Sequence, residues 1–298
     1  MALKLPAVLR ANWAPPAGVR PVDFAAPRGA AALFAPDSVT WRIMKNPVSL
    51  MIGGVAAVLL ELAEPRVRTG VWEHTRFRDD PVGRIRRTGH AAMVTTYAPA
   101  EAARAMISGI VRAHERVQGV TPAGVLYRAS DPELLNWVQA TAGFGFIGAY
   151  DRFVRPLSAW EWDHAFAEGA EAAALYGATG APRSRADWEL QLANMTPRLE
   201  SSGIVHEFLQ IMRHAALLPA PLKPLQGAAI SAAIAMTPAA VRDLLRLPNS
   251  LNRSAELALK ALGAAADRAP LKGAPPVEAC VRLGLAPNHL YRGAYTIT

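Results

Sequence analysis

A run of thirteen residues from Val48 to Leu60 contains no charged side chain. This length suits a helix buried in a protein core, and it falls short of the roughly 20 residues that a membrane-spanning helix needs. Gly53, Gly54, Ala56 and Ala57 leave part of this helix without large side chains. We expect a central core helix packed on all sides, or a helix whose glycine face also lets a flat or bulky ligand approach closely.

The composition of the whole chain favours helices over strands. Alanine is abundant whereas valine, isoleucine and tyrosine are sparse, and alanine has the highest intrinsic helix propensity. The 298 residues, 51% of them hydrophobic, can bury a large core, which excludes a disordered protein. The first 40 residues contain six prolines and little periodicity. We therefore predict an all-α protein, with an irregular N-terminal arm at 1–40 and a single helical domain at 41–298 that ends in a C-terminal extension.

Capping residues locate several helix starts. Asp80 precedes Pro81 at a first helical position, and this helix is expected to run to about Tyr97. The next helix is predicted from Ala100 to Gln118, ending at Gly119. Later helices are predicted to begin near residues 130, 158, 184, 204, 227, 238 and 251.

Charge and cysteine content narrow the class of protein. The formal net charge is +8, from 32 Lys+Arg against 24 Asp+Glu. The arginines are dispersed and no basic block alternates with aromatic residues, which argues against nucleic-acid binding. The single cysteine, Cys280, excludes a disulfide framework and a CxxC metal cluster. The N-terminal sequence lacks a long apolar segment, so we expect a cytoplasmic protein without a secretory signal or a transmembrane segment.

Two familiar motifs occur by letter only. Residues Gly143 to Gly148 fit G-x-G-x-x-G, but the segment before them is predicted to be helical, whereas a dinucleotide site needs a strand there. We expect a flexible break between two helices instead. The His-Glu pairs at His114 and His206 lack the second histidine of a zinc protease motif.

His114 is the histidine with the most distinctive position. On the predicted helix it continues the apolar stripe of Met106, Ile107 and Ile110, so it should point toward the core, whereas His214 aligns with polar residues. Such a histidine is either a hydrogen-bonded core residue or a ligand.

The preceding helix carries a polar group that shares one face. Arg84 and Thr88 are four residues apart, and Arg87 is three residues from Arg84. This face is either solvated or a clamp for carboxylates, which guanidinium groups bind through paired, charge-assisted hydrogen bonds. A haem site would use the same parts: a histidine for the iron, arginines for the propionates and a small-residue helix for the flat ring.

An ordered series of short motifs resembles a known family. The series runs from Gly54–Pro65 through Gly70-Val71 with His74, and then through Asp80-Pro81 with Arg84 and Arg87-Thr88. It continues with the residues that follow: His114, Val117, Gly119, Tyr127, Ala129, Asp131-Pro132, Leu135 and Trp137. Over residues 48–220 the sequence resembles the catalytic domain of the MpaB/rubber-oxygenase family. Bacterial latex-clearing proteins of that family are all-α, bind haem b through an axial histidine and cleave the double bonds of polyisoprene with O2, whereas fungal members oxidatively cleave a terpenoid chain.

The resemblance implies roles for individual residues. His114 would be the proximal iron ligand, and Arg84 and Thr88 would line the haem pocket. Latex-clearing proteins have a lysine beside this threonine that can approach the iron, whereas this chain has Arg87. Arginine stays protonated and is a poor iron ligand, so the substitution argues against rubber cleavage, as does the lack of a secretion signal.

Glu61 is a further candidate. It continues the stripe of Gly54, Ala57 and Val58, so it either lies in the pocket as a proton-transfer group with a raised pKa or ends the core run at the surface.

Taken together, the residues and the resemblance predict a haem-b-dependent oxygenase, or a related peroxidase or peroxygenase, that uses O2 or peroxide on a hydrophobic small molecule. The candidate catalytic residues are Arg87, Thr88 and Glu61, and the candidate haem-binding residues are His114, Arg84 and Thr88. Two alternatives stay open: a non-enzymatic haem or lipid carrier on the same fold, and a helical scaffold whose arginines bind an anionic partner.

Overall fold

A computed structural model describes residues 18–292 and the backbone of a short strand at Leu3–Lys4. The predicted all-α fold is confirmed, because 65% of the structure is helical and 3% is strand. The α-helices of the described part, numbered along the chain, are α1 Val39–Met44, α2 Pro47–Ala63, α3 Pro65–His74, α4 Pro81–Tyr97, α5 Ala100–His114, α6 Pro132–Phe153, α7 Ala159–Leu175, α8 Arg185–Met195, α9 Gly203–His214, α10 Lys223–Met236, α11 Ala239–Leu244, α12 Arg253–Asp267 and α13 Pro275–Arg282.

The centre of the fold is the crossing of α2 and α6. Helix α2 begins at an N-cap, Asn46, whose side chain accepts from the backbone N–H groups of Val48 and Ser49. Gly53 of α2 and Gly145 of α6 bring the two backbones into contact, since a methyl group on Gly53 would lie 2.5 Å from the carbonyl oxygen of Gly145. No side chain fits between the helices at this point.

This crossing corrects two expectations from the sequence. The glycines of the 143–148 segment do not break a helix, because α6 is continuous from Pro132 to Phe153. The part of the α2 glycine face formed by Gly53 and Ala57 is covered by α6 rather than left open for a ligand. Packing energy explains both outcomes, since small residues let two long apolar helices bury each other's surface closely enough to offset the low helix propensity of glycine.

Helices α4 and α5 pack against each other, and α4 also contacts α1 and α13. The N-cap Asp80 accepts from the backbone N–H of Gly83 at 2.9 Å, and α4 runs to Tyr97 as predicted. Helix α5 is shorter than predicted and ends at His114 instead of Gln118. The next residues form an antiparallel hairpin, with strand β2 at Gln118–Val120 paired to strand β3 at Leu126–Arg128.

The hairpin replaces the predicted last turn of α5 because its inner face has a buried partner. Tyr127 of β3 is 4% exposed and packs against Gly70 of α3, where a methyl group on the glycine would meet the ring at 3.3 Å. This long-range contact gives the chain a reason to leave the helix that the local pattern does not contain.

The two ends of the described chain meet on one side of the molecule. Residues 18–38 contain no helix or strand. Arg282, at the end of α13, is 1% exposed and donates to the carbonyl oxygens of Phe24 and Ala30, which fastens this segment to the body. Strand β1 at Leu3–Lys4 pairs in parallel with strand β4 at Leu271–Lys272. Helix α13 and strand β4 lie in the region that the sequence predicted only as an extension.

In the described part of the chain no single helix has the length and apolarity to cross a membrane. Helices α2 and α3 meet that test only as a pair, and they are bent by 109° relative to each other.

Candidate functional site

His114 is the last residue of α5, and its half-buried side chain points toward the protein. Its Nδ1 atom is buried and has no hydrogen-bond partner among the described residues. Burial lowers the pKa of the His114 imidazole, and the positive charge of Arg84 lowers this pKa further. The ring is therefore neutral near pH 7 and has a ring nitrogen with no protein partner, which is the form in which histidine binds metals.

Arg84 lies on α4 and interacts with a neighbour on its own helix. Its Nη1 donates to Thr88 Oγ1 at 3.0 Å, and the same hydroxyl donates to the Arg84 carbonyl oxygen at 3.1 Å. Burial lowers the pKa of Arg84, and among the described residues no carboxylate lies within ion-pair distance of it. Arg84 is half-buried and its partner Thr88 is exposed, so an anionic ligand can reach this guanidinium.

Glu61 approaches the same region from α2. The Thr141 hydroxyl of α6 lies 3.4 Å from Glu61 Oε1 and 2.9 Å from the Val138 carbonyl oxygen, so these two acceptors share its single proton. Burial raises the pKa of Glu61 to about 7, although the charge of Arg84 and the Thr141 hydrogen bond both oppose this rise. Glu61 is half-buried and does not end the helix, because α2 continues to Ala63 and Glu64 is its C-cap.

Arg87 is placed at the edge of this group. Its Nη2 lies 3.6 Å from Asp80 Oδ2, across the first turns of α4, and its side chain is 35% exposed. Its charge acts on the site by lowering the pKa of Arg84. Arg86, the next residue round the helix, is exposed.

The structure thus connects all five predicted site residues, Glu61, Arg84, Arg87, Thr88 and His114, through hydrogen bonds and charge effects, and we call this group the charge network. Arg84 is its centre, since its guanidinium bonds to Thr88 and its charge acts on both Glu61 and His114. The members come from α2, α4 and α5, and of these three helices α4 and α5 pack directly against each other.

Thr141, whose hydroxyl contacts the Glu61 carboxyl, was not predicted from the sequence. Thr141 is fully buried and sits one turn before Gly145 on α6. Its closeness to Glu61 follows from the α2–α6 crossing at Gly53, so no local signal in the sequence could have identified it.

A second histidine also has an unpartnered buried nitrogen. His90 Nε2 is buried without a partner among the described residues, and burial lowers the His90 pKa. His90 lines a separate cavity of about 320 Å³ together with Val22, Phe24, Pro275 and residues near them. The charge network around Arg84 does not include His90. His90 is therefore a useful control for His114 in tests of haem binding.

A family model described as "ER-bound oxygenase mpaB/B'/Rubber oxygenase, catalytic domain" matches residues 41–268. The chain belongs to this family. The match extends the 48–220 region of resemblance at both ends, from α1 through α12, and it contains every member of the charge network. Comparisons with curated proteins and with solved structures found no match.

Membership of the mpaB/rubber-oxygenase family confirms that the chain has an oxygenase-type catalytic domain and assigns it to the oxidoreductases. An oxygenase implies a small-molecule substrate together with O2.

Some of the residues that match the family motifs have a structural role in this mpaB/rubber-oxygenase domain. His74 Nε2 lies 3.1 Å from the Tyr127 hydroxyl, and a methyl group on Gly119 would lie 2.6 Å from that hydroxyl. Gly70 packs on the other side of the Tyr127 ring. These four residues fasten the hairpin to α3, directly after the His114 end of α5.

Proposed function

We propose that the chain is a haem-b-dependent oxygenase, or a closely related peroxidase or peroxygenase, acting on a hydrophobic small molecule. The observation that carries this proposal is the buried Nδ1 of His114, which has no partner in the described structure. Haem iron takes one axial histidine, and the described residues contain no group of three or more His, Cys, Asp or Glu that could hold a bare metal ion. The donor set fits haem better than a protein-caged ion.

Arg84 and Thr88 would hold the propionates of the haem. Arg84 is half-buried, and no carboxylate in the described part of the chain lies within ion-pair distance of its guanidinium. A propionate would provide the missing countercharge, and the Thr88 hydroxyl fixes the direction in which the guanidinium points.

When bound, haem b supplies an iron centre that activates O2 or peroxide toward an alkene or a C–H bond. The chain's own contribution to proton transfer would come from Glu61. With a pKa of about 7, its carboxyl is about half protonated near neutral pH, so it can both give and take a proton at Oε1 or Oε2. The Thr141 hydroxyl contacts this carboxyl, and Arg87 adds positive charge at the edge of the site.

Glu61 favours an enzyme over a haem or lipid carrier on the same fold. Burying a carboxyl costs folding free energy, which the charge of Arg84 only partly offsets, and the buried carboxyl does not help to retain an apolar ligand. A group that exchanges protons near pH 7 is useful where a reaction moves protons.

The direct test is the absorption spectrum of the purified chain after it is supplied with haem. We expect a Soret band at one haem per chain, and turnover of a hydrophobic alkene with O2 plus reductant or with peroxide. A stoichiometric Soret band without turnover would support the carrier, and the absence of a Soret band would leave only the scaffold that binds an anionic partner. The cytoplasmic compartment inferred from the sequence stays a prediction.

A further inference from the structure

The hairpin that follows His114 exposes apolar side chains on one face. Val120 and Leu126 are cross-strand partners, 51% and 78% exposed, so their side chains stand next to each other. The neighbouring pair, Gly119 and Tyr127, points to the opposite face and packs on α3. Val125, at the turn, is 50% exposed. The fold therefore keeps the inner face buried and presents leucine and valine outward.

The turn of this hairpin satisfies its own polar groups. The Thr121 N–H donates to the Val125 carbonyl at 2.8 Å, the Gly124 N–H donates to the Thr121 carbonyl at 2.8 Å, and the Val125 N–H donates to Thr121 Oγ1 at 3.1 Å. Residues 120–126 contain no charged side chain. The main cost of burying backbone in lipid comes from polar groups without hydrogen bonds. A turn with these bonds can enter an apolar medium without leaving those polar groups unsatisfied.

Positive charge surrounds the base of the hairpin. Arg112, Arg116 and Arg128 are all exposed, and none of them forms an ion pair with another described residue. Residues 112–128 contain these three arginines and a single acidic residue, Glu115. An apolar tip above a basic base is complementary to a lipid surface with anionic headgroups, because the tip enters the acyl region while the arginines contact phosphates.

We propose that the hairpin of residues 118–128 is a docking surface for an anionic lipid membrane. Strand β2 begins four residues after His114, so docking would place the site within about 15 Å of the headgroups, given the rise of an extended chain. The substrate class that follows is a hydrophobic molecule dissolved in the bilayer. This consequence rests on the proposed function, whereas the docking surface itself does not.

The test is co-sedimentation of the purified full chain with vesicles, without added haem. One set of vesicles is phosphatidylcholine, and the other is an equal mixture of phosphatidylcholine and phosphatidylglycerol. We expect binding to the anionic set, weakened by salt. Leu126→Asp should lower the partition coefficient about tenfold or more, and the double variant Arg116→Gln/Arg128→Gln about tenfold on anionic vesicles.

Leu257→Asp is the matched control, because Leu257 is 57% exposed on α12, away from the hairpin. Its binding should equal that of the unchanged chain, and far-UV circular dichroism should show the same helicity for all variants. Equal binding to the two vesicle sets, an equal loss in Leu126→Asp and Leu257→Asp, or no binding at all would overturn the proposal. If Leu126→Asp instead converts a dimer to a monomer in sedimentation, the face is a contact between copies of the chain and the membrane proposal is wrong. Because the experiment contains no haem, its failure would leave the proposed haem chemistry intact.

Discussion

Arg84 is half-buried, and its hydrogen-bond partner is the hydroxyl group of the exposed Thr88 rather than a carboxylate. If it binds a haem propionate, Arg84→Leu removes a charge-assisted bond and leaves that carboxylate poorly compensated. The expected loss of haem affinity is about 2–3 kcal/mol. Arg86→Leu is the control because Arg86 is exposed on the same helix. Haem transfer to a scavenger protein should be faster only for Arg84→Leu, and equal rates for the two variants would refute the clamp.

Glu61 gives the site a measurable pH dependence. Burial raises its pKa from about 4.5 in the unfolded chain to about 7 in the folded protein. As the pH rises, the unfolded chain therefore loses this proton at a lower pH than the folded protein does. The contribution of Glu61 to stability is greatest below about pH 4.5 and declines as the pH rises to about 7.

Glu61→Gln should remove this dependence. We expect the variant to gain about 2 kcal/mol over the unchanged chain at about pH 8, with little difference at about pH 4.5, in urea unfolding of the haem-free protein. A stability difference that does not change with pH between these values would contradict the assigned pKa.

At the scale of helices, the α2–α6 crossing depends on two glycines. A methyl group on Gly145 would lie 2.3 Å from the carbonyl oxygen of Gly53, so Gly145→Ala must push the central helices apart. The expected loss in the free energy of unfolding is about 2–4 kcal/mol, measured by urea or thermal denaturation.

Gly169→Ala provides the matched change in α7, where nothing lies within 4 Å of the added methyl group. Because alanine favours helix, this variant should be stable or slightly stabilised, by up to about 1 kcal/mol. A similar effect for both glycines would mean that the crossing is looser than the structure has it.

The sequence predicted those helical features that depend on neighbouring residues. Asp80 and Ser158 cap the helices that they were expected to cap, because a cap is a bond between residues three apart. The end of α5 and the role of Gly145 could not be predicted, because each depends on a contact between residues that are far apart in the chain. The first contact is the packing of Tyr127 on Gly70, and the second is the packing of Gly145 on Gly53.

The site shows the same division. Helical spacing placed Arg84 next to Thr88, and the structure has that hydrogen bond. The approach of Glu61 and Thr141 required the arrangement of α2 and α6, which periodicity does not contain. The roles of His114, Arg84, Arg87, Thr88 and Glu61 in binding and catalysis stay predictions.

An ion cluster that joins helix α1 to helix α7 contributes to the free energy of unfolding of the whole protein, and this contribution depends on pH. Glu161 lies 3.1 Å from Arg42 and 2.7 Å from Arg155. Burial raises the pKa of Glu161, but the bonds from Arg155 and from the Ser158 N–H outweigh burial and lower the pKa to about 2. Its stabilising effect is therefore complete above about pH 4.5 and is lost as the pH falls toward 2.

Glu161→Gln should destabilise the protein by about 1–2 kcal/mol at neutral pH and by much less near pH 2, after allowance for screening by solvent. Urea unfolding at the two pH values measures this difference. An undiminished effect in acid would show that Glu161 acts through packing rather than through its charge.

The proposed function requires His114 to hold the haem. The most direct measurement of this role is the haem content of the purified protein together with its absorption spectrum. His114→Ala, His90→Ala and His214→Ala are purified in parallel after haem is supplied, and helicity is measured for each. His90 supplies the other unpartnered buried imidazole nitrogen of the described residues, and His214 is exposed and bonded to the Gln210 carbonyl. We expect that only His114→Ala loses stoichiometric haem and its Soret band while keeping its helicity. An unchanged spectrum and haem content in His114→Ala would contradict this expectation.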